Sequence, residues 1–248
     1  MFFKLSNKFV KMYSMAKSNG GDNILKNKVI AIDGPAGAGK STIAKQLADN
    51  INYTYIDSGA MYRALTLKVL ETNIRLSDIN GIIEISKKVD IDFRDRSIYL
   101  EGIAVDKQIR EDLVNKNVSI VAAIPDVRKN MVEIQRKISI GKNVVMDGRD
   151  VGTVIFPNAF IKLFITASLE ERAMRRYAEI EATDKTVNFQ DIKNQIEKRD
   201  YTDSNREDSP LIQAEDAVLI DTSGKCIEDV LQEVKGYISL RGGDIDAI

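Results

Sequence analysis

The chain contains 248 residues, of which 44% are hydrophobic and 29% are charged, and its formal net charge is −1. This composition predicts a globular protein with one large α/β domain or two small ones, and the charge does not favour nucleic-acid binding. The lack of histidine and the single cysteine exclude histidine-based catalysis, most zinc sites and an intrachain disulfide. No segment has the roughly eighteen apolar residues of a membrane span, so we expect no membrane association and a cytoplasmic location.

The first 28 residues differ in charge from the rest of the chain. They carry a net charge of +5, from six lysines and one aspartate, whereas the remainder carries −6. We interpret residues 1–27 as a basic, disordered extension, or as the product of an upstream start codon with Met12 or Met15 as the true first residue. A transit peptide is a third interpretation. Residues 241–248 are expected to form a flexible tail.

An apolar strand predicted at Val29–Ile32 leads into a sequence that fits G-x-x-x-x-G-K-[ST]. The glycines let successive N–H groups point at one anion, and the helix that follows directs its N-terminus at the same place. Lys40 supplies a positive charge for the outer phosphates, and the Ser41 hydroxyl is placed to bind Mg²⁺. The pattern therefore predicts a nucleotide-phosphate loop that consists of Gly34, Pro35, Ala36, Gly37, Ala38, Gly39, Lys40, Ser41 and Thr42.

Beyond this loop, predicted strands alternate with predicted helices. The strands are Tyr53–Asp57, Val144–Asp147, Ile161–Ile165 and Ala217–Ile220. The helices are Thr42–Asn50, Ser58–Glu71 with Ser58 as N-cap, Ser77–Val89, Asp126–Ile140, one capped by Ser168 with Glu171 as its capping-box partner, Asn188–Asp203 and Ile227–Ile238. A small antiparallel hairpin at Asp90–Gly102, turning at Asp95 and Arg96, interrupts the alternation. The order predicts a doubly wound, mostly parallel α/β sheet of five strands.

Polar side chains stand at the ends of three of these strands, where such sheets bind their ligands. Asp33 follows the first strand, Ser58 follows the second, and Asp147 ends the third. Asp147 either holds Mg²⁺ or caps the turn at Gly148. Asp33 either has a similar role in metal binding or braces the phosphate loop.

A phosphate loop by itself is compatible with a kinase, a GTPase or a motor ATPase. No N-K-x-D guanine-binding sequence follows a strand, and the chain is short and acidic for a motor. Phosphoryl transfer depends on positive charge and alignment, which guanidinium groups supply. A kinase is therefore favoured by the arginines near strand ends or on flanking helices, which are Arg63, Arg128, Arg149, Arg172, Arg175, Arg176, Arg199 and Arg206.

Each of these arginines could instead be a solvated surface charge, although Arg149 directly follows a buried strand. Arg199, Asp203 and Arg206 have the spacing i, i+4, i+7 and share one predicted helix face. That face is either an exposed salt-bridge ladder or a surface that closes over a substrate. The cluster Arg172, Arg175 and Arg176 is likewise either a solvated face or a cationic strip near the nucleotide.

With these residues in place, the chain resembles the bacterial-type cytidylate kinases, which are nucleoside monophosphate kinases. The resemblance extends from about Lys28 to Ile238 and is carried by IDGPAGAGKST (Ile32–Thr42), IDSGAMYR (Ile56–Arg63), VAAIPDVR (Val121–Arg128), DGRDVGTVIFPNA (Asp147–Ala159), ERAMRR (Glu171–Arg176) and KRDYTDSNRE (Lys198–Glu207). It implies a three-layer α/β fold of the P-loop NTPase type in one domain, residues 28–240. A CMP-binding insert at about 58–141 would contain the small antiparallel element, and a helical lid would occupy about 170–206.

The resemblance also implies an activity, which is transfer of the ATP γ-phosphoryl group to CMP or dCMP with Mg²⁺. A monomer is expected, with no nucleic-acid or membrane partner. Catalytic roles are expected for Lys40, Arg149, Arg199 and Arg206. Ser41, from the loop motif, and Asp147, from its place at a strand end, are expected to bind the metal. The alternatives are a kinase for UMP or another acceptor on the same scaffold, and a nucleotide-binding module without turnover.

On the acceptor side, the same resemblance assigns the CMP phosphate to Ser58, Arg63, Arg149, Arg199 and Arg206. It places Asp203 near the ribose and assigns the cytosine to Ser119, Arg128 and Asp150. Cytosine carries an amino donor where uracil carries an oxygen, so the Asp150 carboxylate would accept from the first and repel the second.

Overall fold

The computed structural model describes residues 28–94, 96–182 and 185–242. The predicted N-terminal extension, the hairpin-turn residue Asp95 and most of the predicted tail therefore lie outside the described residues. Eight strands are assigned within those ranges: β1 (Val29–Asp33), β2 (Thr54–Asp57), β3 (Ile91–Arg94), β4 (Ser97–Leu100), β5 (Ile103–Ala104), β6 (Val144–Gly148), β7 (Ile161–Thr166) and β8 (Val218–Asp221).

Eight α-helices cover most of the remaining described chain. They are α1 (Lys40–Asn50), α2 (Ser58–Glu71), α3 (Ile79–Lys88), α4 (Asp112–Ala122), α5 (Pro125–Ser139), α6 (Leu169–Glu181), α7 (Phe189–Ser204) and α8 (Ile227–Leu240). A 3₁₀ turn at Gln108–Arg110 and a π-helix at Val151–Ile155 complete the regular structure of these ranges. No helix of the described residues is both long enough and apolar enough to span a lipid bilayer.

The main sheet is parallel and has the order β2-β6-β1-β7-β8. Successive residues of β1 face opposite sides, so Ala31 packs into one apolar core while Ile30 and Ile32 pack into another. Helix α2 lies on the first side, and α1 and α8 lie on the second. The predicted three-layer α/β fold with a five-stranded parallel sheet is thus confirmed, and the register pairs Asp33 with Gly148 at its carboxyl edge.

The segment between α2 and β6 carries the small antiparallel element. Strands β3 and β4 form the predicted hairpin, but a third strand, β5, pairs with β4 and was not predicted. Helix α4 was also not predicted, because four of its six apolar residues are β-branched, which weakens the helical signal. The sheet and helices α2 to α5 share one apolar core with the first side of the main sheet.

Of the two predicted helix caps, one is wrong and the other is confirmed without its capping-box partner. Helix α2 is capped by Asp57, whose side chain accepts from the N–H of Ala60, so Ser58 is its first residue and not its cap. Ser168 does cap α6, by accepting from the N–H of Glu171. The capping box is not completed, because the Glu171 carboxylate accepts from the N–H of Gly224 while the N–H of Ser168 donates to Ser223.

Candidate active site

The phosphate loop between β1 and α1 depends on glycine at its first position. Gly34 has φ of +147°, and a Cβ there would lie 1.9 Å from the backbone oxygen of Ile165, so no side chain fits. Gly39, with φ of +84°, precedes the first residue of α1. The loop therefore runs tightly against β7 and delivers its N–H groups to the N-terminus of α1, as an anion-binding loop requires.

Lys40 is the first residue of α1 and only 5% of it is exposed. Its Nζ donates to the backbone oxygen of Pro35 at 2.6 Å, so the ammonium lies over the loop. Burial and the nearby Arg149 guanidinium lower the pKa of Lys40 to about 7, although Asp147 acts in the opposite direction. An ammonium with so low a pKa has a strong electrostatic preference for additional negative charge, such as the phosphates of a nucleotide.

Asp147 lies next to the loop, as the next-to-last residue of β6, and is 4% exposed. One carboxylate oxygen accepts from the Ser41 hydroxyl at 2.7 Å and the other accepts from the Tyr55 hydroxyl at 2.9 Å. Burial, together with the neighbouring Asp57, raises the pKa of Asp147 to about 6. The structure thus brings together Ser41 and Asp147, and it adds Tyr55, which no motif indicated.

Three arginines converge on the carboxylate of Asp203. Arg149 Nε lies 2.8 Å from Oδ2, Arg206 Nη1 lies 3.7 Å from Oδ1, and Arg199 Nε lies 4.0 Å from Oδ2. Burial alone would raise the pKa of Asp203, but Arg149 and Arg199 hold it below its ordinary value. With three guanidinium groups and one carboxylate, the cluster keeps a net positive charge and suits a phosphate dianion.

The prediction that Arg199, Asp203 and Arg206 share one helix face is wrong for Arg206. Helix α7 ends at Ser204, and Arg206 reaches Asp203 from the segment that follows. Its Nη2 donates to the backbone oxygen of Ser209 at 2.6 Å, which fixes the side chain. The cluster is therefore assembled from the residue after β6, from α7 and from the chain beyond α7, and it is not a simple surface ladder.

Ser58 and Arg63 lie at the N-terminal end of α2. The Ser58 hydroxyl donates to the backbone oxygen of Asp147 at 2.7 Å, and Arg63 pairs with Asp57 at 2.9 Å. Gly148 packs so closely against this hydroxyl that a Cβ there would lie 2.4 Å from Ser58 Oγ. Ser58 is thereby attached to the end of β6, beside the residues that lead to Arg149.

Arg128 and Asp150 form a buried ion pair between α5 and the start of the π-helix. The Tyr62 ring lies 5.2 Å from Arg128 Cζ, and both the Tyr62 hydroxyl and Arg128 Nε are buried without a hydrogen-bond partner in the described chain. Ser119 is half-buried on α4 and makes no hydrogen bond to either member of the pair. Unused polar atoms beside a charged pair suit recognition of a polar ring.

Asp33 does not have the geometry of a metal ligand. Its two carboxylate oxygens accept from the N–H groups of Val151 and Gly152, at 2.8 and 2.7 Å. Burial raises the pKa of this carboxyl to about 6. Of the two sequence-based interpretations the bracing role is supported, but Asp33 braces the chain after Asp150 and not the phosphate loop itself.

The arginines of α6 have three different environments and form no single cationic strip. Arg172 is buried and donates to the backbone oxygen of Ala36 and to Asp200, which in turn accepts from the N–H of Ala36 at 3.2 Å. Arg175 donates to the backbone oxygen of Thr222, and Arg176 is exposed and pairs with Glu179. Sequence reasoning missed Asp200, for which adjacency to Arg199 was the only available signal.

The chain is similar to known cytidylate kinases over most of its length. The model of the cytidylate kinase family matches residues 30–240. A cytidylate kinase of Alkaliphilus oremlandii is 51% identical over 205 residues, which is 83% of this chain and 94% of that protein. One of Caldanaerobacter subterraneus subsp. tengcongensis is 52% identical over 83% of this chain and 92% of its own length, and one of Fusobacterium nucleatum is 48% identical over 86% and 98%. This chain belongs to the cytidylate kinase family of phosphotransferases.

Proposed function

We propose that this protein transfers the γ-phosphoryl group of ATP to CMP and dCMP, producing ADP and the corresponding diphosphate. The observation that carries the proposal is the presence of two cationic sites near the phosphate loop. One is Lys40, and the other is the three-arginine cluster around Asp203. Arg149 and Arg199 of the three-arginine cluster are close enough to Lys40 to lower its pKa. Two phosphorylated ligands held in these places would meet with their phosphates facing each other, as phosphoryl transfer requires.

The donor side would use the loop residues Gly34–Thr42. Their N–H groups would bind the β-phosphate, and Lys40 would leave the Pro35 oxygen for the outer phosphates. Binding would raise the pKa of Lys40, so the side chain would be fully charged when the γ-phosphoryl group moves. Mg²⁺ fits the oxygen donors of Ser41 and Asp147, and when bound it would supply charge neutralisation on the ATP phosphates.

The acceptor side would bind the CMP phosphate through Ser58, Arg63, Arg149, Arg199 and Arg206. A phosphate monoester is doubly negative above its second pKa of about 6. Its oxygen can therefore attack the γ-phosphorus without a general base, which agrees with a chain that has no histidine. Asp203 would keep Arg149 and Arg206 aligned at the ribose end, so that both guanidinium groups reach the phosphate with their remaining N–H donors.

Cytosine would be read by Asp150, whose carboxylate is held by Arg128. Ser119 on α4 would be a further polar group for the base. The exocyclic amino group of cytosine would donate to Asp150, whereas the uracil oxygen would face a carboxylate. A buried hydrogen bond of this kind can discriminate by up to about 10⁴-fold.

A coupled assay for ADP release, with CMP, dCMP, UMP and AMP as acceptors, tests the proposal. We expect CMP or dCMP to exceed UMP and AMP in kcat/KM by about tenfold or more. A greater kcat/KM for UMP or AMP would mean a different acceptor. ATP binding without ADP release in the presence of any monophosphate would mean a non-catalytic module.

Two variants then separate the donor and acceptor roles. Asp150→Ala should lower kcat/KM for CMP far more than for UMP, whereas Lys40→Ala should suppress turnover with both acceptors. Asp90→Ala, which removes an exposed carboxylate of the antiparallel region, serves as the control. Equal losses for CMP and UMP in Asp150→Ala would remove Asp150 as the reader of the base.

A further inference from the structure

Asp33 is a buried carboxylate that the proposed transfer step does not use. It ends β1 and directly precedes Gly34, so by its place in the chain it belongs to the ATP side. Only 5% of it is exposed, and both of its oxygens are occupied by backbone N–H groups that lie 118 and 119 residues further along the chain. Those groups belong to Val151 and Gly152, directly after Asp150.

These hydrogen bonds hold the backbone of Asp150. The peptide between Asp150 and Val151 has its N–H bound to Asp33 at 2.8 Å. The oxygen of the same peptide accepts from the N–H groups of Val154 and Ile155, at 2.9 and 3.1 Å. Because both ends of the peptide are held, its plane cannot rotate, and the direction of the Asp150 side chain toward Arg128 is set from the backbone.

A π-helix begins at this point, at Val151. The i→i+5 geometry is rare and is frequently found at functional sites. The Asp33 carboxylate supplies the acceptor that the first N–H groups of this short turn need, as an N-cap does for an α-helix. Without it, two buried N–H groups would lose their partners, and the turn would have to rearrange.

We propose that Asp33 is a positioning residue that determines the selectivity of the enzyme for cytosine over uracil, although it lies beside the ATP loop. The inference rests on the proposed function, because it assigns base reading to Asp150. In Asp33→Asn the amide NH₂ replaces one acceptor and faces an N–H, so one buried N–H is left unsatisfied. The Asp150 carboxylate then turns away from the amino group of the base.

Gly152 offers a second, independent perturbation of the same contact. A Cβ on Gly152 would lie 3.3 Å from Asp33 Oδ2 and 3.1 Å from the Lys162 side chain, which is tighter than ordinary contact. Lys162 is buried and its Nζ is paired with Asp216 at 2.8 Å, so it cannot move away freely. Gly152→Ala should therefore displace the Asp33 carboxylate without removing any charge.

The test is steady-state kinetics of the full chain, wild type and variants, with CMP and UMP at saturating ATP and with ATP at saturating acceptor. We expect Asp33→Asn to reduce the ratio of kcat/KM for CMP to that for UMP by about tenfold or more, with the KM for ATP within about threefold of wild type. Gly152→Ala should shift the ratio in the same direction. Asp78→Asn is the matched control, because Asp78 also accepts from a backbone N–H, at the N-terminus of α3.

Thermal unfolding of each variant identifies any that fails to fold, in which case the other variant decides. An unchanged CMP-to-UMP ratio in a folded variant, or a loss expressed mainly in the KM for ATP or in Mg²⁺ dependence, would overturn the inference. These outcomes are distinct from a failure of the proposed function, in which the wild type itself would not prefer CMP to UMP.

Discussion

Replacing Asp147 with asparagine should make the protein more stable and far less active. Its carboxylate is buried, and its pKa is raised from 3.8 to about 6 by burial and by Asp57, which corresponds to a cost of about 3 kcal/mol for the ionised form. Its two partners, Ser41 and Tyr55, are hydroxyls that can accept as well as donate, so an amide keeps both hydrogen bonds. This shift already includes the attraction to Lys40, so the gain is offset only by the smaller cost of burying the amide, and we expect about 1–2 kcal/mol.

The effect has a defined pH dependence. Between about pH 4 and 6 the wild-type native state binds a proton that the unfolded state has lost, so wild-type stability falls as pH rises through this range. The advantage of Asp147→Asn should therefore be small near pH 4, grow as Asp147 and then Lys40 lose their protons, and be constant above about pH 7. At pH 8 it should raise Tm by about 2–8 °C, since 1 kcal/mol corresponds to about 2–4 °C for a chain of this size.

Thermal unfolding from pH 4 to 8 checks the stability. ADP release with CMP checks the activity, which should fall at least about a hundredfold if Asp147 holds Mg²⁺ as proposed. Asp90→Asn, which alters an exposed carboxylate, is the control for a general effect of charge removal. A variant that is less stable than wild type at pH 8, or a difference that does not change with pH, would refute the electrostatic reasoning.

Two further outcomes follow from the same group of residues. Tyr55→Phe removes the hydroxyl that donates to Asp147, so the Mg²⁺ concentration for half-maximal activity should rise by about tenfold or more. Tyr53→Phe is the control. Equal effects of both variants would contradict a specific role of Tyr55. ATP binding at pH 8 should take up close to one proton, because the pKa of Lys40 is about 7 in the free protein and bound phosphates raise it. Calorimetry in buffers of different ionisation enthalpy measures this uptake, and proton release or no exchange would contradict it.

The strands and the phosphate loop were predictable because their signals are local. Short apolar runs bounded by glycine and polar residues identified all five parallel strands to within one or two residues. Gly34 was identified by its motif, and the structure adds the reason, which is the absence of space between the loop and Ile165. Strand β5 was missed because a two-residue strand is too short to show an alternating pattern. Helix α4 was missed because most of its apolar residues are β-branched.

The site was predictable in part. Motif resemblance named Arg149, Asp203 and Arg206, and the structure brings them within reach of one another. The shared helix face was wrong because regular spacing continues in a sequence after the helix itself has ended. Arg206 lies in the segment after the helix and still reaches Asp203, and its guanidinium is held by the backbone oxygen of Ser209.

By itself, the sequence determined the loop, the strand order along the chain, the charged groups available for chemistry and the family. The tertiary structure alone decided which of those groups act on one another. Asp33 binds N–H groups 118 and 119 residues away, and Asp200 binds one 164 residues away. A backbone N–H is supplied by almost any residue, so the partner of such a carboxylate leaves no signature in the sequence. Only the fold places the end of β1 beside the turn after β6, and it thereby connects the phosphate loop to Asp150, the residue proposed to read the base.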